Sequence, residues 1–94
     1  PMATSASPLI HTADFTVGDS AVAIVSAASY ARDVYVSTDD AVFLGGSNVT
    51  AATGLELNTT VEPLGPLRLL PNAVLYGIAA TNRDVRVLEI EVGQ

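Results

Sequence analysis

The feature that most constrains this chain is its punctuation. Short runs rich in β-branched and aromatic residues are cut at close intervals by Gly, Asp, Asn and Pro. Runs of that length suit the strands of a sandwich or barrel. "DFTVGD" predicts a strand around Phe15 to Val17, "SAVAIVSAA" one from Val22 to Ser26, and "DVYVST" one from Val34 to Ser37. In the third, Val34 and Val36 fall on one face, Tyr35 and Ser37 on the other. "AVFLGG" predicts a fourth strand, and "DVYVSTDDAVFLGG" reads as a hairpin turning at Asp39 and Asp40. Leu55 to Leu57, Thr60 to Glu62 and Val74 to Ala79 supply further strand material.

"DVRVLEIEV" closes the pattern with alternation. Val85, Val87, Glu89 and Glu91 share one face, while Arg86, Leu88, Ile90 and Val92 share the other. The switch from valine to glutamate along one face predicts a bulge or an edge at a subunit contact. Only the alanine-rich "AVAIVSAASYAR" offers a helical alternative, and Val and Ile at nearly every other site of the strand runs argue against helices there. The fold class expected is all-β: a small antiparallel β-sandwich or barrel.

The first fourteen residues, "PMATSASPLIHTAD", break the pattern. They are small, polar and interrupted by Pro1 and Pro8, with Leu9 and Ile10 as the large apolar side chains. We read residues 1–14 as an extended N-terminal arm and residues 15–94 as a single β domain. An arm of this kind orders against a neighbour. Ninety-four residues leave room for one core only, so association would add burial that the lone chain lacks. The absence of cysteine removes disulfides and thiolate metal sites as sources of stability.

Charge narrows the partners. The basic residues are Arg32, Arg68, Arg83 and Arg86, set against ten carboxylates for a net charge of −6, with no lysine. Such a field repels nucleic acid and anionic membrane surfaces. The amino-terminal residues lack a basic segment followed by an apolar core, so the chain is expected to be made in a cytosol.

Residues that carry chemistry are sparse. The one histidine, His11, lies in the arm, a poor place for an imidazole that must be held between a nucleophile and a carboxylate. Asp39 and Asp40 adjoin at a turn, and Glu89 and Glu91 share a strand face. Glycoside hydrolysis wants two carboxyls facing each other across an aromatic-lined groove, and this chain has no tryptophan. The Asp39-Asp40 pair lacks the spaced carboxylate ladder of a calcium loop. The glycine-rich "VFLGGSNVTAATGLEL" lacks the lysine and following helix of a phosphate loop, and it lacks a dinucleotide fingerprint. Its glycines, Gly45, Gly46 and Gly54, read as turn scaffold, with Gly54 at a position of positive φ. The Asn-x-Thr sequons at Asn48 and Asn58 read as turn residues. No catalytic residue, cofactor or metal is expected.

One resemblance supplies a function. "VYVSTDDAVFLGGSNVTAATGLELNTTVEPLG" followed by "LPNAVLYGIAATNRDVRVLEIEV" resembles a small β-sandwich or barrel module of tailed-bacteriophage virion proteins. The matching elements fall at Val42 to Gly54, Leu75 to Ala80 and Asp84 to Glu89, within the C-terminal two thirds of the chain. The resemblance implies a capsid decoration (cement) protein that binds the major capsid protein on the outer surface of the virion as a homo-oligomer, with a trimer favoured. The arm residues Pro8, Leu9, Ile10 and His11 would then contact the capsid. The alternative it implies is a head-fibre, neck or tail appendage module that binds a host glycan or another virion protein.

Overall fold

The computed structural model describes residues 10–58 and 63–92, and among them every helix-or-strand element is a strand. In chain order these are β1 (Ile10–Val17), β2 (Val22–Val25), β3 (Ala31–Thr38), β4 (Val42–Gly45), β5 (Leu55–Leu57), β6 (Leu64–Leu69), β7 (Leu75–Ile78) and β8 (Arg83–Val92). They build two four-stranded sheets, ordered β1-β8-β3-β6 and β2-β7-β4-β5, with every neighbouring pair antiparallel. The pairs β1·β8, β2·β7, β3·β6 and β4·β5 nest within one another, as in one long hairpin rolled up. That nesting is the jelly-roll connectivity. Of the two expected architectures the chain adopts the sandwich.

Alternation fills the core. On β3 the side chains of Arg32, Val34, Val36 and Thr38 are buried and their neighbours only partly so. Val17, Val85 and Val87 join them from the first sheet, facing Ile24, Val25, Val42, Leu44, Leu57 and Leu75 from the second. Phe15, Leu64, Leu67 and Leu69 close the sides. Small β-branched side chains dominate, each fully buried valine contributing about 1.5–3 kcal/mol of transfer free energy.

Four expectations are corrected. The Asp39-Asp40 segment is not a hairpin turn: β3 and β4 belong to different sheets, and the two aspartates form the corner between them. The arm ends sooner than residue 14, because β1 begins at Ile10 and runs in register with β8 from Ile10↔Ile90 to Val17↔Arg83. Ile10 to Asp14 are exposed on both faces, so they carry no apolar alternation for a sequence reading to detect. Residues 1–9, with Pro8 and Leu9, lie outside the described residues, as does the strand expected over Thr60 to Glu62.

The third correction is β6, "LGPLRL", which was not expected as a strand. Gly65 and Pro66 look like breakers, but β6 is an edge strand and both residues fall in its register shift between Leu64 and Leu67, a place where a strand tolerates proline. The fourth is β8. It runs without a register shift against both β1 and β3, and Glu89 and Glu91 stay on the inward face opposite Val34 and Arg32. The glutamates are accommodated there because Arg32 is buried beside them.

Candidate functional site

The glycine-rich stretch folds as the β4–β5 hairpin. Val42↔Leu57, Phe43↔Glu56 and Leu44↔Leu55 pair, and the connecting loop folds back over its own Val49. Five of the loop's backbone N–H groups, those of Val49, Thr50, Ala52, Thr53 and Gly54, are spent within the loop. Val49 N–H donates to Gly46 O (3.0 Å) and Gly54 N–H to Thr50 O (2.8 Å). Thr50 Oγ1 accepts from the N–H groups of Ala52 and Thr53, and Thr53 Oγ1 accepts from Thr50 N–H. Gly54 is not at positive φ; its need is space, since a Cβ there would lie 2.8 Å from both Phe43 Cβ and Val49 Cγ2. Gly45 is similarly crowded by Val49, at 2.9 Å, whereas Gly46 has room for a methyl group.

The paired aspartates diverge in their tasks. Asp39 receives the Asp84 N–H on its carboxylate and returns its own N–H to Asp84 O, tying the corner to the start of β8. Asp40 caps Ala41 N–H at 2.7 Å and pairs with Arg83 at 3.3 Å. Among the described residues no group of three metal-ligating side chains converges.

A polar cluster sits at the opposite end of β3 and β8. Arg32 is fully buried, and its guanidinium donates to the carbonyls of Ser26, Leu70 and Ala73. Leu70 to Ala73 is a tight turn with Pro71 second and Asn72 third at φ 70°, closed by the Ala73 N–H to Leu70 O bond. Arg32 thereby clamps the β6–β7 turn to the β2–β3 loop, and Asn72 N–H to Ala28 O (2.7 Å) repeats the tie. Glu89 lies 4.0 Å from the guanidinium. His11, which the sequence placed in the arm, stands on β1 and bonds Glu91 at 3.0 Å. Burial, then the hydrogen bond to Glu91 and the charges of Glu91 and Glu89, raise the Tyr30 phenol above its ordinary range. These groups hold the end of the sandwich together and face one another rather than an open site.

The broad outer faces are different. On the first sheet Tyr35 is opposite Leu88, Asp33 opposite Ile90, Thr12 opposite Leu88 and Ile10 opposite Ile90, so all of these point away from the core. A groove of about 920 Å³ runs over this face, walled by Thr12, Tyr35, Pro63, Arg86, Leu88 and Ile90. Gly65, at φ +146°, leaves room for the Tyr35 ring, which a Cβ would approach to 2.6 Å. At the groove's end Asp14 is held above the ordinary carboxylate range, first by its hydrogen bond to Asp84, then by burial and by the Asp84 charge, against the pull of Arg86. On the second sheet Phe43 and Ile78 are opposite one another and Tyr76 is opposite Gly45, again on the outer side.

Of the expected contact residues, Ile10 is 63% exposed and His11 is bound to Glu91. The outer-face residues Tyr35, Leu88 and Ile90 were not singled out from sequence. Their signal was present: β8 carries apolar side chains on both of its faces, which a strand with one solvated face does not need. No family model matches the chain, and no curated protein or solved structure matches it.

Proposed function

We propose that this chain is a bacteriophage capsid decoration protein that binds the outer capsid surface as an oligomer and stabilises the head. The observation that carries the reading is the cluster of partly covered apolar side chains on each outer face of a jelly roll whose four arginines each stand within 4.0 Å of a carboxylate. Tyr35, Leu88 and Ile90 on one sheet, and Phe43, Tyr76 and Ile78 on the other, suit a subunit packed between neighbours. The glycine loop and the aspartate corner are taken up by their own backbone and arginine partners, which favours a building block over an enzyme. The jelly roll recurs among viral capsid domains, an analogy of fold that agrees with the resemblance to phage virion proteins. Many weak contacts repeated over a lattice supply avidity without any chemistry.

The test is to add purified chain to phage heads that lack it and to sediment the particles. Saturable binding with a copy number matching lattice positions, and heads that resist heat better, are the expected results. Heads that bind none of it at saturating concentration sink the proposal. The groove beside Tyr35, with Thr12 and Asp14 at its rim, favours a second reading in which an appendage module holds a glycan. Glycan-array binding lost in Tyr35→Ala, with no binding to heads, would replace the first reading with the second.

A further inference from the structure

Two sheets have four edges, and in this molecule three are blunted. β6 carries Pro66, which has no N–H to offer, and a register shift between Val34 and Val36. β2 has four residues and a register shift between Ala23 and Val25. β5 has three residues. Short strands, bulges and proline are the devices by which β proteins avoid pairing with other chains.

β1 has none of them. It is eight residues long, holds an unshifted register with β8 at every position, and contains no proline and no lysine. Ile10 to Asp14 are exposed on both faces, and among the described residues no strand pairs with the open side of β1, whose backbone donors and acceptors there are a template for pairing. The one formal charge on it, Asp14, is opposite Arg86 on β8.

We infer that β1 pairs antiparallel with β1 of a second copy about a two-fold axis, joining the two first sheets into one continuous sheet. The side-chain pattern selects the register. A two-fold perpendicular to the sheet keeps the groove face of both copies on one side, so each residue must meet a residue of the same face. With the axis at Ala13, Ile10 is opposite Thr16, His11 opposite Phe15, Thr12 opposite Asp14 and Ala13 opposite itself. That is the longest ladder that sets no like charges opposite each other. Shifting the axis to Asp14 would put two carboxylates face to face, and shifting it to His11 would set two imidazoles so. A two-fold pair differs from the three copies that the resemblance implies, and it stands independently of capsid binding.

Cysteine scanning tests it, because the chain has no cysteine of its own. Residues directly opposite in an antiparallel pair have Cα atoms about 4.5–5.5 Å apart, inside the range a disulfide spans. Ala13→Cys is therefore expected to give a covalent dimer on mild oxidation. Thr12→Cys and Asp14→Cys each place their sulfurs two rungs out of register, about 8 Å apart, and are expected to bridge poorly. Light scattering over a dilution series of the full chain should show two-copy mass at high concentration. Ala13→Lys, at an exposed position, should weaken that association by about tenfold while leaving the melting temperature of the monomer unchanged. One-copy mass at every concentration, three-copy mass, or equal cross-linking at all three cysteine positions overturns the inference. Loss of capsid binding in a chain that still pairs through Ala13 would remove the decoration reading and leave this one standing.

Discussion

Arg32 shows how one residue can organise a whole end of the sandwich. A guanidinium is a planar fork of five donors, and here it reaches three carbonyls from two separate loops while the buried Nε has no hydrogen-bond partner among the described residues. The unpaired Nε and the 4.0 Å gap to Glu89 mean that the charge is incompletely compensated, so the site is retained at a cost. Removing the head leaves the Ser26, Leu70 and Ala73 carbonyls and the partly buried Glu89 carboxylate without their shared cation. Arg32→Met is therefore expected to lose about 3–5 kcal/mol in urea unfolding. Arg32→Lys should recover only part of this, because a single ammonium cannot fork to both loops. A loss below about 1 kcal/mol for Met would mean that the loops are tied by the Asn72 to Ala28 bond alone.

At the scale of elements, the sequence shows individual strands far better than it shows their partners. The valine alternation of β3 and the apolar run of β7 were legible because burial on one face writes a period of two into the residues. Partner choice left no such mark: Asp39-Asp40 has the chemistry of a hairpin turn yet links two sheets. The hairpin instead closes through the long loop after Gly45, whose side-chain packing is invisible in a linear string. β6 was hidden by Gly65 and Pro66, and the start of β1 by its lack of a covered face. The candidate surface was half legible, since the apolar residues on both faces of β8 were seen but their shared groove with Tyr35 depends on strand order. The hairpin loop makes a graded expectation. Gly54→Ala pushes a methyl group against Phe43, Val49 and the Thr50 carbonyl, and should cost about 1–3 kcal/mol. Gly46→Ala meets nothing closer than Asn48 Oδ1 at 3.7 Å and should leave the melting temperature within error. Equal losses at the two positions would show that backbone freedom, rather than crowding by Val49, sets the need for glycine.

Across the whole molecule each of the four arginines stands within 4.0 Å of a carboxylate: Arg32 with Glu89, Arg68 with Asp33, Arg83 with Asp40 and Arg86 with Asp84. Asp14, on the edge strand β1, lies beside the already paired Asp84 of β8, whose hydrogen bond first, then burial and the Asp84 charge, raise it. Two carboxyls thus respond to pH with opposite signs. Asp14 is raised in the fold, so its contribution is complete below its unfolded value and is lost as pH rises through the folded one. Asp33 is lowered, chiefly by its hydrogen bond to Arg68 against the upward push of burial, so its contribution is complete above the unfolded value and is lost as pH falls through the folded one. Asp14→Asn should therefore melt above the parent chain at neutral pH, and the advantage should vanish on descent through the carboxylate range. Asp33→Asn should melt below it at neutral pH, and that deficit should vanish over the same descent. Both shifts should shrink with added salt, since all these groups touch water. Melting curves of the three proteins across pH decide it: lines that stay parallel would mean that neither Asp84 nor Arg68 governs its neighbour. A converging pair would place the acidic strain of the molecule on the strand that we assign to self-pairing, where a neighbouring copy sets Thr12, and no further carboxylate, opposite Asp14.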